Sequence, residues 1–419
     1  AGEPLNFLDH HIRCGDAIVG LAHRSELENG IADEAFKTLP GDDKDVAKNL
    51  RDQNVRERKV AAAKSLDYKL EFEKTTASSV HEAMAEYKSF NSLPETTPEE
   101  IERKARAYDR FINGRGYGFL KAMADTQVAQ FFIAKTPANK DQLLTDAEYR
   151  MILTGHQGWQ DRRIAMANAV AQEKRFFHWF LEFPEVFSSP TGGGREGVSA
   201  GFDCILGNPP FLGGKKISGN FGDDYLNFIK HNYEPSIGNI DFVVYFFRRI
   251  YDIIIDSGFQ SLISTNSIAQ GDSRISGLQH IIQTGSINHA IKSLPWPGKA
   301  TVEVSLVTIT KQIWKHKFVL ANKIVNSINS YLDDDQILIN PFVLKQNDLK
   351  SFQGSVVLGK GFIINEEIAN EFISKEEKYK DVLFQYLNGD DINNDIEQKP
   401  SRWIINFYDW SEDYCKDNY

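Results

Sequence analysis

The chain has 419 residues, 41% of them hydrophobic and 25% charged. That is enough to bury a sizeable core over two or three domains, and no run approaches the ~20 apolar residues of a membrane span. The net charge of −10 argues mildly against a large nucleic-acid footprint and leaves room for a local basic groove. The first residues lack the basic start and apolar core of a secretory signal, and Cys14, Cys204 and Cys415 have no metal-ligand spacing; together these point to a reducing cytoplasm, no structural zinc and no membrane partner.

In chain order, Leu5 to Gly20 reads as the end of a strand followed by a Gly15-Asp16-Ala17 turn, which on its own is an ordinary turn or helix cap. From about Ala22 to Phe187 the texture is helical. Asp43 to Lys74 is dense in Lys, Arg, Glu, Asp and Ala without glycine or proline, and Thr97-Pro98-Glu99-Glu100 is a capped helix start. A further helix is expected from Gln160 to about Phe180. Arg56 to Lys59 reads as a solvated face. His178, among many aromatics, reads as a packed core histidine rather than a catalytic one. Ser188 to Ala200, rich in Gly and Ser, reads as a flexible spacer.

Gly201 to Phe211 then reads as a buried strand that ends in a rigid loop. Phe202, Cys204, Ile205 and Leu206 form an apolar run, and Gly207 lets the chain leave it. In the loop Asn208-Pro209-Pro210-Phe211 the two prolines fix φ and carry no N–H, so the carbonyls of Asn208 and Pro209 are free to point outward as acceptors. With the Asn208 side-chain oxygen they can grip both hydrogens of an exocyclic amino group. Phe211 offers a face to a planar ring. Such a grip draws electron density back to an amine nitrogen whose lone pair is delocalised, which suits its methylation.

Gly213 to Gly219 is a small basic loop in which Lys215 and Lys216 either touch phosphates or simply face solvent. An apolar helix carrying Arg248-Arg249 is expected over Asp241 to Ile255, a buried strand over Gly258 to Asn266, and two more strands over Ser286 to Leu294 and Thr301 to Lys311. The elements from 201 onward read as half of an open, mostly parallel sheet closed by an antiparallel hairpin. Beyond about Gln312 the texture is mixed. Asp390 and Asp391 with Glu397 read as a structural turn, not a nuclease site.

Asn208 to Phe211 resembles the Asn-Pro-Pro-aromatic motif of amino-methyltransferases that use S-adenosylmethionine, a group that includes adenine-N6 DNA methyltransferases. Nearly the whole chain resembles the large adenine methylases of type IIG restriction-modification and phage-defence systems in bacteria, most specifically at Asn208–Phe211, at the Leu294–Ala300 loop and at Tyr386–Phe407. The resemblance implies an α/β fold: a Rossmann-like methyltransferase sheet with its N-terminal strands missing, a large helical insertion and a mixed α+β C-terminal region. The implied divisions are 1–21 and 200–315 for the two methyltransferase parts, 22–199 for the insertion and 316–419 for the start of a target-recognition region.

By the same resemblance, Asn208, Pro209, Pro210 and Phe211 are catalytic, and Gly15, Asp16 and Ala17 contact the cofactor, Asp16 accepting from its adenine amino group. Trp296 packs against an extruded base or serves as a structural aromatic, and Lys215 and Lys216 contact the substrate. S-adenosylmethionine is the implied cofactor, double-stranded DNA the implied partner and no metal is needed; other restriction or defence subunits are further candidate partners. Gly114–Gly118 and Gly192–Gly194 follow no hydrophobic strand and do not supply the glycine-rich cofactor loop of the family, so the chain alone is expected to bind the cofactor weakly or not at all. Two rivals share the motif. One is a methylase of protein glutamine or of guanine in ribosomal RNA; the other is a DNA-recognition subunit that keeps the motif without turnover.

Overall fold

The computed structural model describes residues 6–63, 65–159, 161–187, 200–296, 303–335, 344–347, 350, 357 and 359–419. The Gly192–Gly194 run, most of the Ser188–Ala200 spacer and residues 297–302 of the expected loop and strand lie outside them. Two compact units, Ala1–Leu338 and Ile339–Tyr419, make up the chain.

The first unit begins with helices. After two 3-10 turns come α1 (Lys44–Ala63), α2 (Ser65–Asn91), α3 (Pro98–Ile112), α4 (Arg115–Ala129), α5 (Asp146–Leu153) and α6 (Arg162–Lys174), then the single turns α7 (Trp179–Glu182) and α8 (Pro184–Phe187). The expected cap is present on α3: Glu100 N donates to Thr97 Oγ1 at 3.3 Å, the Glu100 carboxylate returns to Thr97 N at 3.2 Å, and Pro98 takes the first helical position. α4, buried along most of its length, is the central helix of this part. Gly114 is its N-cap, so Gly114–Gly118 forms a helix start.

Two expectations fail in this region. The helix expected to reach Phe180 stops at Lys174, because Arg175 turns left-handed at φ 58° and residues 176–178 extend before α7 begins. They run parallel to 16–21: Phe177 N donates to Val19 O at 2.8 Å and Trp179 N to Leu21 O at 2.9 Å. The strand expected before Gly15 is likewise absent. Asp16 instead makes an isolated parallel bridge to Phe176. Gly20, at φ 148°, is required there, since a Cβ would lie 2.1 Å from Phe177 O.

The sheet comprises β1 (Phe202–Gly207), β2 (Ile254–Thr265), β3 (Ser286–Pro295), β4 (Glu303–Thr310), β5 (Phe318–Leu320) and β6 (Lys323–Val325), in the order β1-β2-β4-β3-β5-β6. Between its strands lie α9 (Ile217–Phe221), α10 (Asp223–Asn232), α11 (Phe242–Ile253) and α12 (Gly271–Arg274). Among the described strands of this sheet, only β1–β2 and β3–β5 pair in parallel. β1, β2, β3 and β5 do share one direction, but β4 returns between β2 and β3 as the second arm of the expected hairpin and is antiparallel to both. The sheet is therefore mixed rather than mostly parallel. It also extends past residue 315, through β5 and β6.

α11 packs along β2, and Leu262, Val307, Ala290 and Ile309 are fully buried on one face of the sheet. On the other face Ile263 and Leu306 are half-buried and Leu206 is 76% exposed.

The second unit holds β7 (Ile363–Ile364), α13 (Glu366–Lys375), β8 (Leu383–Tyr386), α14 (Gly389–Asn394), β9 (Arg402–Ile405) and α15 (Glu412–Asn418), with an antiparallel sheet ordered β7-β9-β8. Asn388 caps α14, its Oδ1 accepting from Asp390 N at 2.8 Å and Asp391 N at 3.1 Å; Asp391 returns the bond by accepting from Asn388 N at 3.1 Å, and it accepts from Ser401 Oγ at 2.6 Å. Among the described residues no helix is long and apolar enough to cross a membrane.

Candidate functional site

The Asn208–Phe211 loop leaves the carboxyl end of β1. That strand was expected to be buried, but it lies at the sheet edge with Cys204 and Leu206 exposed. β2 is its one neighbour among the described strands, and Leu206 stands on the same face of the sheet as the half-buried Ile263 and Leu306. Pro209 is the buried anchor of the loop, whereas Asn208, Pro210 and Phe211 are exposed, Phe211 by 39%. The Asn208 side chain has no hydrogen-bond partner among the described residues. The proline ring pins the backbone while the polar and aromatic groups on either side face solvent.

The chain is fastened again just beyond the motif. Phe242 N donates to Leu212 O at 2.9 Å, and Gly214 N donates to Asp241 Oδ1 at 3.2 Å. Gly214 lies against the 239–241 backbone, where a Cβ would come 2.4 Å from Ile240 O. Lys215 and Lys216 follow, both exposed.

Asp16 sits in a tight frame. Its backbone N donates to Arg175 O at 2.8 Å, Ile18 N donates to Asp16 Oδ1 at 3.2 Å, and Tyr225 Oη donates to Asp16 Oδ2 at 2.7 Å. Burial raises the Asp16 pKa, and these donors work against that rise. A carboxylate offers about four lone-pair sites, so positions remain for a further donor such as an amino group. Beside it, Trp179 Nε1 donates to Ala17 O at 2.9 Å, and Phe177 fills the space a Cβ on Gly15 would take, its Cδ2 at 2.7 Å.

The strand-like stretch behind Asp16 is clamped from α10 and α11. Tyr233 Oη donates to Ile18 O at 3.0 Å and Arg249 Nη2 to Gly20 O at 2.8 Å. Its neighbour Arg248 donates instead to the carbonyls of Tyr233, Glu234 and Pro235. Tyr225 links the two motifs: it stacks on Phe221 at 4.8 Å between centroids, and Phe221 stacks on Phe242 at 5.2 Å. The Asp16 turn and the helices that follow the Asn208 loop thus share one aromatic seam.

Trp296, half-buried, follows directly on the end of β3. Three residues before it Ser293 turns left-handed at φ 58°, inside a register shift between Ile291 and Leu294. Asn266, at the end of β2, braces this point. Its Nδ2 donates to Ser293 Oγ at 2.8 Å and to Glu303 Oε2 at 3.2 Å, and its Oδ1 accepts from Ser305 Oγ at 2.8 Å.

His178 is buried as expected of a core residue. Its Nδ1 accepts from Leu21 N at 3.1 Å, and its Nε2 lies 2.9 Å from Asp125 Oδ1. Asp241, Asn266 and Tyr225 are the polar residues that sequence reasoning did not single out. Asp241 carried a signal, as an N-cap before an apolar helix; Asn266 and Tyr225 carried none beyond their place at a strand end and in a helix.

Residues 119–293 match the model of the Eco57I restriction-modification methylase family. The matched segment runs from α4 to β3; it contains the Asn208–Phe211 loop and excludes Gly15–Ala17 and Trp296. Among solved structures, the Type IIL restriction-modification enzyme MmeI in complex with DNA is 17% identical, over 86% of this chain and 51% of that one, with a TM-score of 0.41. A putative class I S-adenosylmethionine-dependent methyltransferase from Listeria monocytogenes is 12% identical, over 60% of this chain and 90% of that one, with a TM-score of 0.23. The chain thus spans about half the length of the MmeI chain. No curated protein matches it.

Proposed function

From a chain that carries an Eco57I-type restriction-modification methylase domain over residues 119–293, we infer the core of a site-specific DNA methyltransferase acting on the N6 amino group of adenine. The observation that carries this reading is the Asn208–Phe211 loop: a buried Pro209 holds an exposed Phe211 and an exposed Asn208, whose side chain has no partner among the described residues, at the end of β1. An adenine extruded from the duplex, at a cost of a few kcal/mol, stacks on Phe211, which returns about 1–3 kcal/mol. The Asn208 side-chain oxygen and the Pro209 carbonyl accept the two amino hydrogens and localise the nitrogen lone pair.

S-adenosylmethionine, when bound, supplies the methyl group. Asp16 fits a role in holding it, since its carboxylate is fixed by Tyr225 and still has accepting positions. Lys215 and Lys216 are placed on the loop that leaves the motif and would meet backbone phosphates, a local basic feature in a chain of net charge −10. The implied setting is a bacterial restriction-modification or phage-defence system, with the protein in the cytoplasm.

The test is single-molecule sequencing of plasmid DNA from methylation-deficient cells that express the complete gene. N6-methyladenine at one short motif is expected, with its loss in Asn208→Ala while the fold is retained. Unmodified DNA would direct the search to methylation of protein glutamine or ribosomal RNA, or to a recognition subunit without turnover. Methylation that survives Asn208→Ala would remove the loop from the mechanism.

A further inference from the structure

The polar turn Thr265-Asn266-Ser267 lies between the Asn208–Phe211 loop and the segment that leads to Trp296, and it is bonded toward both. On one side Ser267 Oγ donates to Asp241 Oδ2, and Asp241 Oδ1 accepts from Gly214 N at 3.2 Å, three residues beyond Phe211. Asp241 N is held in turn by Ser273 Oγ at 3.0 Å. On the other side Asn266 reaches Ser293 Oγ, three residues before Trp296, and both Glu303 and Ser305 on β4. Thr265 Oγ1 and Ser267 Oγ are 2.7 Å apart, which closes the turn on itself.

The bonding at Asn266 requires a carboxamide. One end must donate to a hydroxyl and to the Glu303 carboxylate, and the other must accept from the Ser305 hydroxyl. Ser293 sits in a left-handed conformation that is costly for a residue with a Cβ, so an external brace there has a backbone to hold.

We propose that Asn266 is a positioning residue that sets Trp296 relative to the Asn208–Phe211 loop, and so fixes the width of the slot that receives the target base. The proposal rests on the base-extrusion reading given above, with Trp296 as the second aromatic at the base that the family resemblance implies. In Asn266→Asp a carboxylate faces Glu303 across the former 3.2 Å bond, and like charges push β4 and the Ser293 turn off the end of β2. The double variant Asn266→Asp/Glu303→Gln restores a donor opposite an acceptor with the two roles exchanged.

Two readouts separate the proposal from the reading beneath it. In this chain labelled with fluorotryptophan, the 19F resonance of Trp296, assigned through Trp296→Phe, is expected to shift in Asn266→Asp and to return in the double variant. The melting temperatures should agree within a few degrees, because Asn266 and Glu303 are not core residues. In the complete protein, 2-aminopurine at the target position should report reduced extrusion in Asn266→Asp. kcat should fall about tenfold or more, at a cofactor KM within twofold, with recovery in the double variant. An unmoved Trp296 resonance, or a double variant that recovers neither resonance nor kcat, would overturn the proposal. A wild-type protein that extrudes no base would overturn the reading it rests on, while the resonance would still decide whether Asn266 positions Trp296.

Discussion

Arg249 is the cation on which the candidate cofactor segment depends, and its replacement tests how that segment is held. It is 5% exposed; burial opposes its charge, but Tyr233, Glu26 and Asp252 around it more than restore that charge. Arg249→Met keeps most of the stem and removes the bonds to Gly20 O at 2.8 Å and Tyr233 Oη at 2.9 Å. Each charge-assisted bond contributes about 1.5–3 kcal/mol. The pair with half-exposed Asp252, at 3.5 Å, adds less than about 1 kcal/mol. Relief of the buried charge offsets part of the loss, which leaves roughly 3 kcal/mol.

That loss falls on the contact between residues 16–21 and 176–179, so it should appear as faster hydrogen exchange at Phe177 N and Trp179 N, which bond to Val19 O and Leu21 O. At 1.36 kcal/mol per tenfold, the protection of these amides should drop by about two orders of magnitude. Protection unchanged within about threefold would show that Gly20 is held by something other than Arg249.

Two further outcomes concern buried titratable groups. His178→Ala strips the acceptor from Leu21 N and the partner from Asp125, and should cost about 3–5 kcal/mol in thermal unfolding; a cost below about 1 kcal/mol would reopen a catalytic role. Lys135 is fully buried, and burial lowers its pKa from 10.5 to about 8. The unfolded chain then holds this proton between pH 8 and 10.5 while the folded chain does not. Stability should therefore rise across that window, by roughly 3 kcal/mol for this one group, and the full penalty should apply below pH 8. Lys135→Met should flatten that part of the pH profile of the melting temperature, and a profile parallel to wild type would refute the assignment.

Local signals in the sequence carried far where the chain itself completes the structure. Thr97-Pro98-Glu99-Glu100 specifies its cap with side chains three residues apart, and the apolar run from 258 to 264 specifies β2, because one face of that strand is buried in this chain. The end of α6 was illegible for the opposite reason. Nothing near Arg175 marks a left-handed residue; what stops the helix is the pairing of residues 176–179 with 16–21, more than 150 positions away. The same long-range pairing replaced the strand expected before Asp16. β1 reads as a buried strand by composition, but its Leu206 stands on the face of the sheet where Ile263 and Leu306 are only half-buried.

The candidate site divides along the same line. Asn208-Pro209-Pro210-Phe211 was legible because its chemistry is local: prolines fix the carbonyls and an adjacent ring offers a face, with no help needed from the rest of the chain. The parts that hold it in place are not local. Tyr225 reaches Asp16 across 209 positions, Ser267 reaches Asp241 across 26, and Asn266 reaches Glu303 across 37. Ser267 and Asn266 are short polar residues at a strand end, a context in which such residues mostly bond to water or to their own backbone, and Tyr225 is one aromatic among several on and around its helix. Motif residues announce what they can touch, whereas the residues that aim them become visible only when the loops at the carboxyl ends of β1, β2 and β3 are brought together. An Asn266→Asp variant would therefore look conservative in sequence, yet it sets two carboxylates against each other where one amide now joins three strands.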